Sequence, residues 1–281
     1  MKPFVSVIIP TRNRPDMLRE AMESVSQQTF TDYELIVVVN GPDNPLTEKS
    51  LQVAADGGGR VIRVERTGIA VALNAGMKAA AGEWLAFLDD DDLWEPNKLE
   101  LELKVADGAA ADVVFCDSRL FDGADSAVNR LPRPPLSTSP REAMTLKNYG
   151  GGCSSTMVKR AAALAVGGFD EAIVSPDWDF WMRLSWRYRV AWADACTALV
   201  RQHPGSTSKQ ISWAYWTLYI QLKALRTLPH DLRHLRGRIV WQMLKVAMKG
   251  AEASLRHRCL RVVRRIVAPE TKSHRQPRSP A

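Results

Sequence analysis

Four consecutive carboxylates, Asp89-Asp90-Asp91-Asp92, form the most highly charged stretch of the chain. They follow an apolar run, Trp84-Leu85-Ala86-Phe87-Leu88, which reads as a buried strand of a parallel sheet. The acids then fall at the strand's carboxyl end, where open α/β sheets bind ligands. Adjacent anions repel one another, so a folded chain keeps them together only with an offset, from water or from a cation. A hard divalent ion, Mg2+ or Mn2+, suits such an oxygen cluster and would in turn hold a diphosphate. The plainer alternative is a solvated acidic turn, with Asp92 as N-cap of the next helix and Glu95-Pro96 in its first turn. The two are compatible.

A second constellation is Asp177-Trp178-Asp179-Phe180-Trp181-Met182-Arg183-Leu184, which opens a helix. Asp177 is a candidate general base, with Asp179 and Trp178 placed to tune it by charge and desolvation. Its competing role is that of a helix-capping or first-turn acid after Pro176. Trp178 and Trp181 are candidates to stack on a substrate, although Phe180, Trp181 and Leu184 have the helical spacing of core residues. Further on, Arg201-Gln202-His203-Pro204-Gly205 offers His203 as a metal ligand or diphosphate contact and Arg201 as a neutralising charge. The remaining histidines lie in a basic tail. No Ser-His-Asp or Cys-His arrangement suggests a hydrolase. The four cysteines (Cys116, Cys153, Cys196, Cys259) are scattered, and read as free thiols of a reducing compartment.

These residues need a scaffold, and the pattern supplies one. Strands are expected over 4–9, 34–39 and 60–64, alternating with helices from Pro15, over 47–55 and from Gly68 to about Ala79. That alternation, ending in the acidic strand, is a mononucleotide-binding half of Rossmann type. It lacks both the G-x-G-x-x-G and the G-x-x-x-x-G-K-[ST] fingerprints, which disfavours a dinucleotide enzyme and a P-loop NTPase. Later strands are expected at 112–116, 154–158, 190–192 and 198–200, with a short helix at 160–166. Residues 121–141 are turn-rich and read as a binding loop or lid. From Ile211 to Val267 the chain reads as helical with a break near Pro229, and its last dozen residues as a disordered end.

Charge divides the chain in two. Residues 210–281 hold 15 Lys/Arg and 3 Asp/Glu, a net +12, whereas 1–209 hold 23 and 28, a net −5. The expected organisation is a catalytic domain over 1–209 and a basic amphipathic helical extension over 210–281. Apolar positions such as Leu255, Leu260, Val263 and Ile266 alternate there with Arg256, Arg258, Arg261 and Arg264. An anionic membrane surface or nucleic acid would each attract such a tail, unless its apolar face docks on the catalytic body. No apolar run approaches the roughly 18–20 residues of a membrane span. The start, Met1-Lys2-Pro3-Phe4-Val5, has no signal-peptide pattern. The expectation is a cytoplasmic protein, peripheral at the inner face of the cell membrane.

Four stretches in order resemble an inverting family 2 glycosyltransferase of GT-A fold across 1–209. They are Val5 to Arg14, then Gly68 to Gly76, then Ala86 to Asp92, then Gly168-Phe169-Asp170-Glu171 with Asp177 to Leu184. The resemblance implies a metal-dependent enzyme that takes a UDP-, dTDP- or GDP-linked sugar. Its acceptor would be a glycan or lipid-linked hydroxyl, in cell-surface polysaccharide or glycolipid assembly. It implies that Thr11 and the loop with Arg14 contact base and ribose, and that Gly68 and Asn74 help hold the nucleotide. Asp89-Asp90-Asp91 resemble the family's D-x-D motif. Asp89 and Asp90 would then lie on the nucleotide side, while Asp91, with His203, ligates Mn2+ or Mg2+. Asp177 falls where the family keeps its base, with Trp178 and Asp179 toward the acceptor. The sequence departs from the family pattern at three places. Val39-Asn40 replaces paired aspartates and leaves Asn40 to read the base, Pro176 replaces an acid, and Leu73 replaces an arginine.

Two other readings compete. A nucleotidyltransferase also needs acids and a metal, but would want a basic Gly-rich loop that the sequence lacks. A non-enzymatic membrane- or nucleic-acid-binding protein would rest on the basic tail alone, and nucleic acid is the weaker of those partners.

Overall fold

Val5–Thr11 (β1) carries no charge and is buried along its whole length. In a parallel sheet covered on both faces, that is what a central strand must look like. A computed structural model of the chain, describing residues 2–121, 126–129, 133–135, 137–203 and 213–249, puts β1 at the heart of a nine-stranded sheet. β1 pairs in parallel with Tyr33–Asn40 (β2) and with Trp84–Phe87 (β4), and β2 pairs in parallel with Arg60–Val64 (β3). Beyond β4, Thr156–Lys159 (β8) runs antiparallel, and Val113–Phe121 (β6) runs antiparallel to β8. Val190–Arg201 (β9) is parallel to β6, and Leu93–Trp94 (β5) antiparallel to β9. Ser126–Asn129 (β7) folds back on β6. The order is β3-β2-β1-β4-β8-β6-β9-β5, a mixed and mainly parallel sheet.

Alternate residues feed two cores. Val7, Ile9, Val37 and Val39 meet Leu18, Met22 and Val25 of Pro15–Ser26 (α1), Val53 of Pro45–Asp56 (α2) and Leu99 of Lys98–Gly108 (α4). Ile8, Ile36, Val38 and Phe87 meet Leu73 and Met77 of Ile69–Ala79 (α3) and Phe180 and Trp181 of Asp177–Ser185 (α7). Pro140–Leu146 (α5) and Arg160–Ala165 (α6) complete the layers. Each fully buried Leu, Ile or Phe contributes about 1.5–3 kcal/mol, so these cores hold the strand ends in fixed relation.

Two expectations are corrected. Asp92 is not a helix cap: Leu93 and Trp94 pair with Leu199 and Ala198 of β9, and α4 begins only at Lys98 with Asn97 as its N-cap. The short strands at 190–192 and 198–200 are one strand, β9, carried past irregularities near Asp117 of β6.

The chain divides into two compact units, Met1–Ile211 and Ser212–Ala281. Within the second, Trp213–Thr227 (α8) is followed by a 3-10 turn, His230–Leu235, and by Arg236–Lys249 (α9). Pro229 separates α8 from that turn. Gln221 Nε2 donates to Gln242 Oε1 at 2.9 Å and ties the two helices. Trp241 is 56% exposed, with the Lys245 ammonium 5.3 Å from its ring centroid. Among the described residues no helix is long and apolar enough to cross a membrane. The basic repeat at 255–267 and the chain's last dozen residues lie outside the described residues, as does part of the 121–141 loop.

Candidate functional site

The carboxyl end of β4 delivers the four acids, and each meets different partners. Asp90 is tied to the end of β1. Its Oδ2 accepts from Thr11 Oγ1 at 2.7 Å and from the Arg12 amide at 3.3 Å, and its Oδ1 accepts from Arg14 at 3.1 Å. Asp92 is tied elsewhere: Oδ2 accepts from Ser154 Oγ at 2.6 Å and Oδ1 from the Arg201 amide at 3.0 Å. Asp91 meets Arg14 at 2.6 Å and His203 Nε2 at 2.9 Å through its Oδ2. Arg201 Nε donates to the Asp91 carbonyl at 2.9 Å, and its guanidinium also pairs with Glu20. The Asp89 amide donates to Ser154 Oγ at 3.1 Å.

Crowded anions in a desolvated turn hold protons tightly. Burial pushes the Asp89 carboxyl well above the usual range, and the charges of Asp92, Asp91, Asp177 and Asp90 add to it. Burial and Asp91 likewise raise Asp90 to about 6, against the pull of Arg14 and Thr11. Asp92 rises to about 7, chiefly by burial and by Asp91. Carboxylate oxygens of Asp89, Asp91 and Asp92 lie within 4.8 Å of one another. This is a hard oxygen set of the kind Mg2+ and Mn2+ take, and a cation there would relieve the repulsion. Asp92, which the sequence offers both as a member of the acid cluster and as a cap, belongs to the cluster.

Asp177 is the first residue of α7, but it does not cap the helix. The N-cap is Pro176, and the Asp177 Oδ1 accepts from the Cys153 thiol at 3.0 Å. Burial lifts its carboxyl to about 6, and the Cys153 hydrogen bond opposes that rise. Its charge in turn presses on Asp89, so base candidate and acid cluster share one site.

The other expected site residues have these partners within the protein. Asn74 is a latch: its Oδ1 accepts from the Phe169 amide at 2.9 Å, and its Nδ2 donates to the Phe169 carbonyl at 2.9 Å and to Glu171 at 3.0 Å. Glu171 also pairs with Arg66. Gly168, at φ +70°, must be glycine here, because a Cβ would sit 2.6 Å from the Asn74 oxygen. Asp179 is fully buried and pairs with Arg183 at 2.8 Å, whose other nitrogens hold the carbonyls of Val166 and Gly168. Trp178 packs inward and donates to the Met144 carbonyl. Both side chains are buried. Asn40 is buried at the end of β2. Its Nδ2 donates to the Gly68 carbonyl at 2.9 Å, and its Oδ1 has no partner among the described residues.

One wall is pinned by tryptophans. Trp178, Trp192, Trp181 and Trp94 donate from Nε1 to the carbonyls of Met144, Tyr149, Gly151 and Ser154, and Trp186 donates to Thr145 Oγ1. The segment 144–154, which carries Cys153 and Ser154 into the site, is thereby fixed. Sequence reasoning passed over both residues. The only local signal was Gly150-Gly151-Gly152 just before them, where backbone packs closely.

A mainly parallel sheet with an acid cluster at the end of a central strand, and a desolvated aspartate beside it, defines a GT-A transferase architecture. The sequence profile of glycosyl transferase family 2 matches residues 6–167, more than half of the chain, and the chain belongs to that family. It is 31% identical over 192 residues to the uncharacterized glycosyltransferase YwdF of Bacillus subtilis, covering 66% of this chain and 69% of YwdF. It is 28% identical over 222 residues to an uncharacterized glycosyltransferase of Rickettsia felis, covering 75% of this chain and 36% of that protein. The chain thus spans about a third of the length of the Rickettsia relative. Two solved structures share the fold. One is residues 1–349 of Staphylococcus aureus TarS in complex with UDP-GlcNAc (TM-score 0.69, 17% identity, 94% of this chain and 80% of that one). The other is the mannosyltransferase PcManGT of Pyrobaculum calidifontis with GDP-Man and Mn2+ (TM-score 0.63, 17% identity, 93% and 79%).

Proposed function

We propose that the protein transfers a sugar from a nucleotide-sugar to an acceptor hydroxyl, with inversion at the anomeric carbon. The observation that carries this is the pairing of an acid cluster at the end of β4 with a desolvated aspartate, Asp177, whose charge reaches it. Asp177 takes the proton of the acceptor hydroxyl as that oxygen attacks the anomeric carbon. The bond to the diphosphate breaks on the opposite face, and the nucleoside diphosphate departs. Asp91 and Asp89, with His203 beside Asp91, would hold Mn2+ or Mg2+. A cation there supplies positive charge against the leaving diphosphate. Thr11, Arg14, Asp90, Asn40 and Gly68 line the nucleotide side. The buried Oδ1 of Asn40 suits an N–H of a base, as in a UDP-, dTDP- or GDP-linked donor. TarS with UDP-GlcNAc and PcManGT with GDP-Man support this donor class. The acceptor fits a glycan or lipid-linked intermediate of cell-surface polysaccharide or glycolipid assembly. The basic second unit, net +12 over 210–281, would hold the enzyme at an anionic membrane face.

The test is Asp177→Asn. A lost general base costs roughly 10²–10⁴ in rate and leaves the fold intact. Donor turnover, followed as UDP released from UDP-GlcNAc or GDP from GDP-mannose with Mn2+, should fall by at least about a hundredfold, with donor-induced thermal stabilisation retained. Near wild-type turnover would remove Asp177 from the chemistry. A product of the same anomeric configuration as the donor would rule out inversion.

A further inference from the structure

We infer that Cys153 is a positioning residue of the transfer site: its S–H holds Oδ1 of Asp177, which leaves the second carboxylate oxygen to meet the acceptor proton. The inference rests on the reading of Asp177 as the base.

Three observations carry it. Cys153 is 2% exposed, and its Sγ lies 3.0 Å from the Asp177 Oδ1. Among the described residues, no other group hydrogen-bonds that carboxylate. Secondly, the thiol cannot drift. It begins the 3-10 turn Cys153–Ser155, whose neighbours are anchored on both sides. The Gly151 carbonyl accepts from Trp181, the Ser154 carbonyl accepts from Trp94, and the Ser154 hydroxyl donates to Asp92. Thirdly, the thiol keeps the proton that it donates. Burial and the charges of Asp177 and Asp89 drive its pKa far up, so it keeps its proton.

The choice of a thiol has a chemical reason. An arginine or lysine against Asp177 would favour the carboxylate so strongly that it lost its appetite for a proton. A neutral, weak donor fixes the rotamer and leaves the group basic, with its pKa at about 6. Alignment matters because a misplacement of about 1 Å at the reacting atoms can cost on the order of a hundredfold in rate.

The test compares Cys153→Ala, Cys153→Ser and Asp177→Asn in the full chain. UDP-GlcNAc and GDP-mannose are the probes, with Mn2+ present, and the one that is turned over is used. Cys153→Ala should lower kcat about tenfold or more, with donor KM unchanged and thermal melting lowered, because Asp177 loses the S–H that offsets its burial. Cys153→Ser, which restores a donor, should recover most of the loss. A second readout needs no turnover. The S–H stretching band of Cys153, isolated as the Raman difference between wild type and Cys153→Ser, should shift when Asp177→Asn replaces carboxylate with amide. Wild-type kcat in Cys153→Ala, a Cys153→Ser variant as slow as Cys153→Ala, or an unshifted S–H band each overturns the inference. The base reading fails separately, if Asp177→Asn itself turns over at the wild-type rate.

Discussion

Replacing Asp177 with Asn should make the fold more stable while it slows the enzyme. The Asp177 carboxyl rises from 3.8 to about 6 because burial penalises its charged form, with the Cys153 S–H pulling the other way. The sign follows from proton binding. Below pH 4 or so the carboxyl is protonated in both folded and unfolded chains, and the site costs nothing. Between about 4 and 6 the unfolded chain ionises first, so stability falls as pH rises. Above about 6 the penalty is complete, at about 3 kcal/mol. Asp177 keeps some accessible surface, so that figure is a ceiling. Asn has nearly the same shape and no charge to desolvate, so it removes the penalty. Urea unfolding of wild type and Asp177→Asn in EDTA, where no cation offsets the neighbouring acids, measures the difference. The variant should be more stable by up to about 3 kcal/mol at pH 8 and by about 1 kcal/mol at pH 4.5. A gap that does not change with pH, or a variant less stable at pH 8, would refute the account of a desolvated base.

Three further outcomes are expected. Donor turnover should stop in EDTA and return with Mn2+, and Asp91→Asn should resist that rescue; undiminished turnover of Asp91→Asn in EDTA would sink the metal assignment. Arg183→Met removes one partner of a buried ion pair and two carbonyl anchors of the 166–168 turn, so it should cost about 3–5 kcal/mol in urea unfolding. A loss below about 1 kcal/mol would show that the turn is held by other contacts. The full chain should sediment with anionic but not neutral vesicles, and less so at high salt. Trp241→Ala with Lys245→Ala should weaken that binding, by about 1 kcal/mol for the lost cation. Equal sedimentation with both vesicle types would count against an electrostatic attachment.

The sheet was legible because its strands are apolar runs ended by turn residues, and that pattern is local. The acid cluster was legible for the same reason: once Trp84 to Leu88 is a buried strand, Asp89 to Asp92 must emerge at its end. What escaped depends on partners far away in the chain. Asp92 reads as a cap only if the chain turns straight into a helix, and it is β9, a hundred residues later, that draws Leu93 and Trp94 into a strand. The internal contacts of Asn74, Trp178 and Asp179 were not legible either, because helical spacing does not say which partner a side chain meets. Their partners are Phe169, Met144 and Arg183. Cys153 meets Asp177 across 24 residues, and nothing in either local sequence marks the contact.

The tryptophan pins have a consequence for how this site can change. Four of the five indoles hold main-chain carbonyls, at Met144, Tyr149, Gly151 and Ser154. A carbonyl is the same whatever side chain stands beside it. The path of this wall is thus set by residues on α7, β5 and β9, while Thr145, Cys153 and Ser154 also hold partners through their own side chains. An exposed position between the pins, such as Lys147, can be exchanged without loosening that frame, whereas Gly150, where a Cβ would lie 2.6 Å from Phe115, cannot.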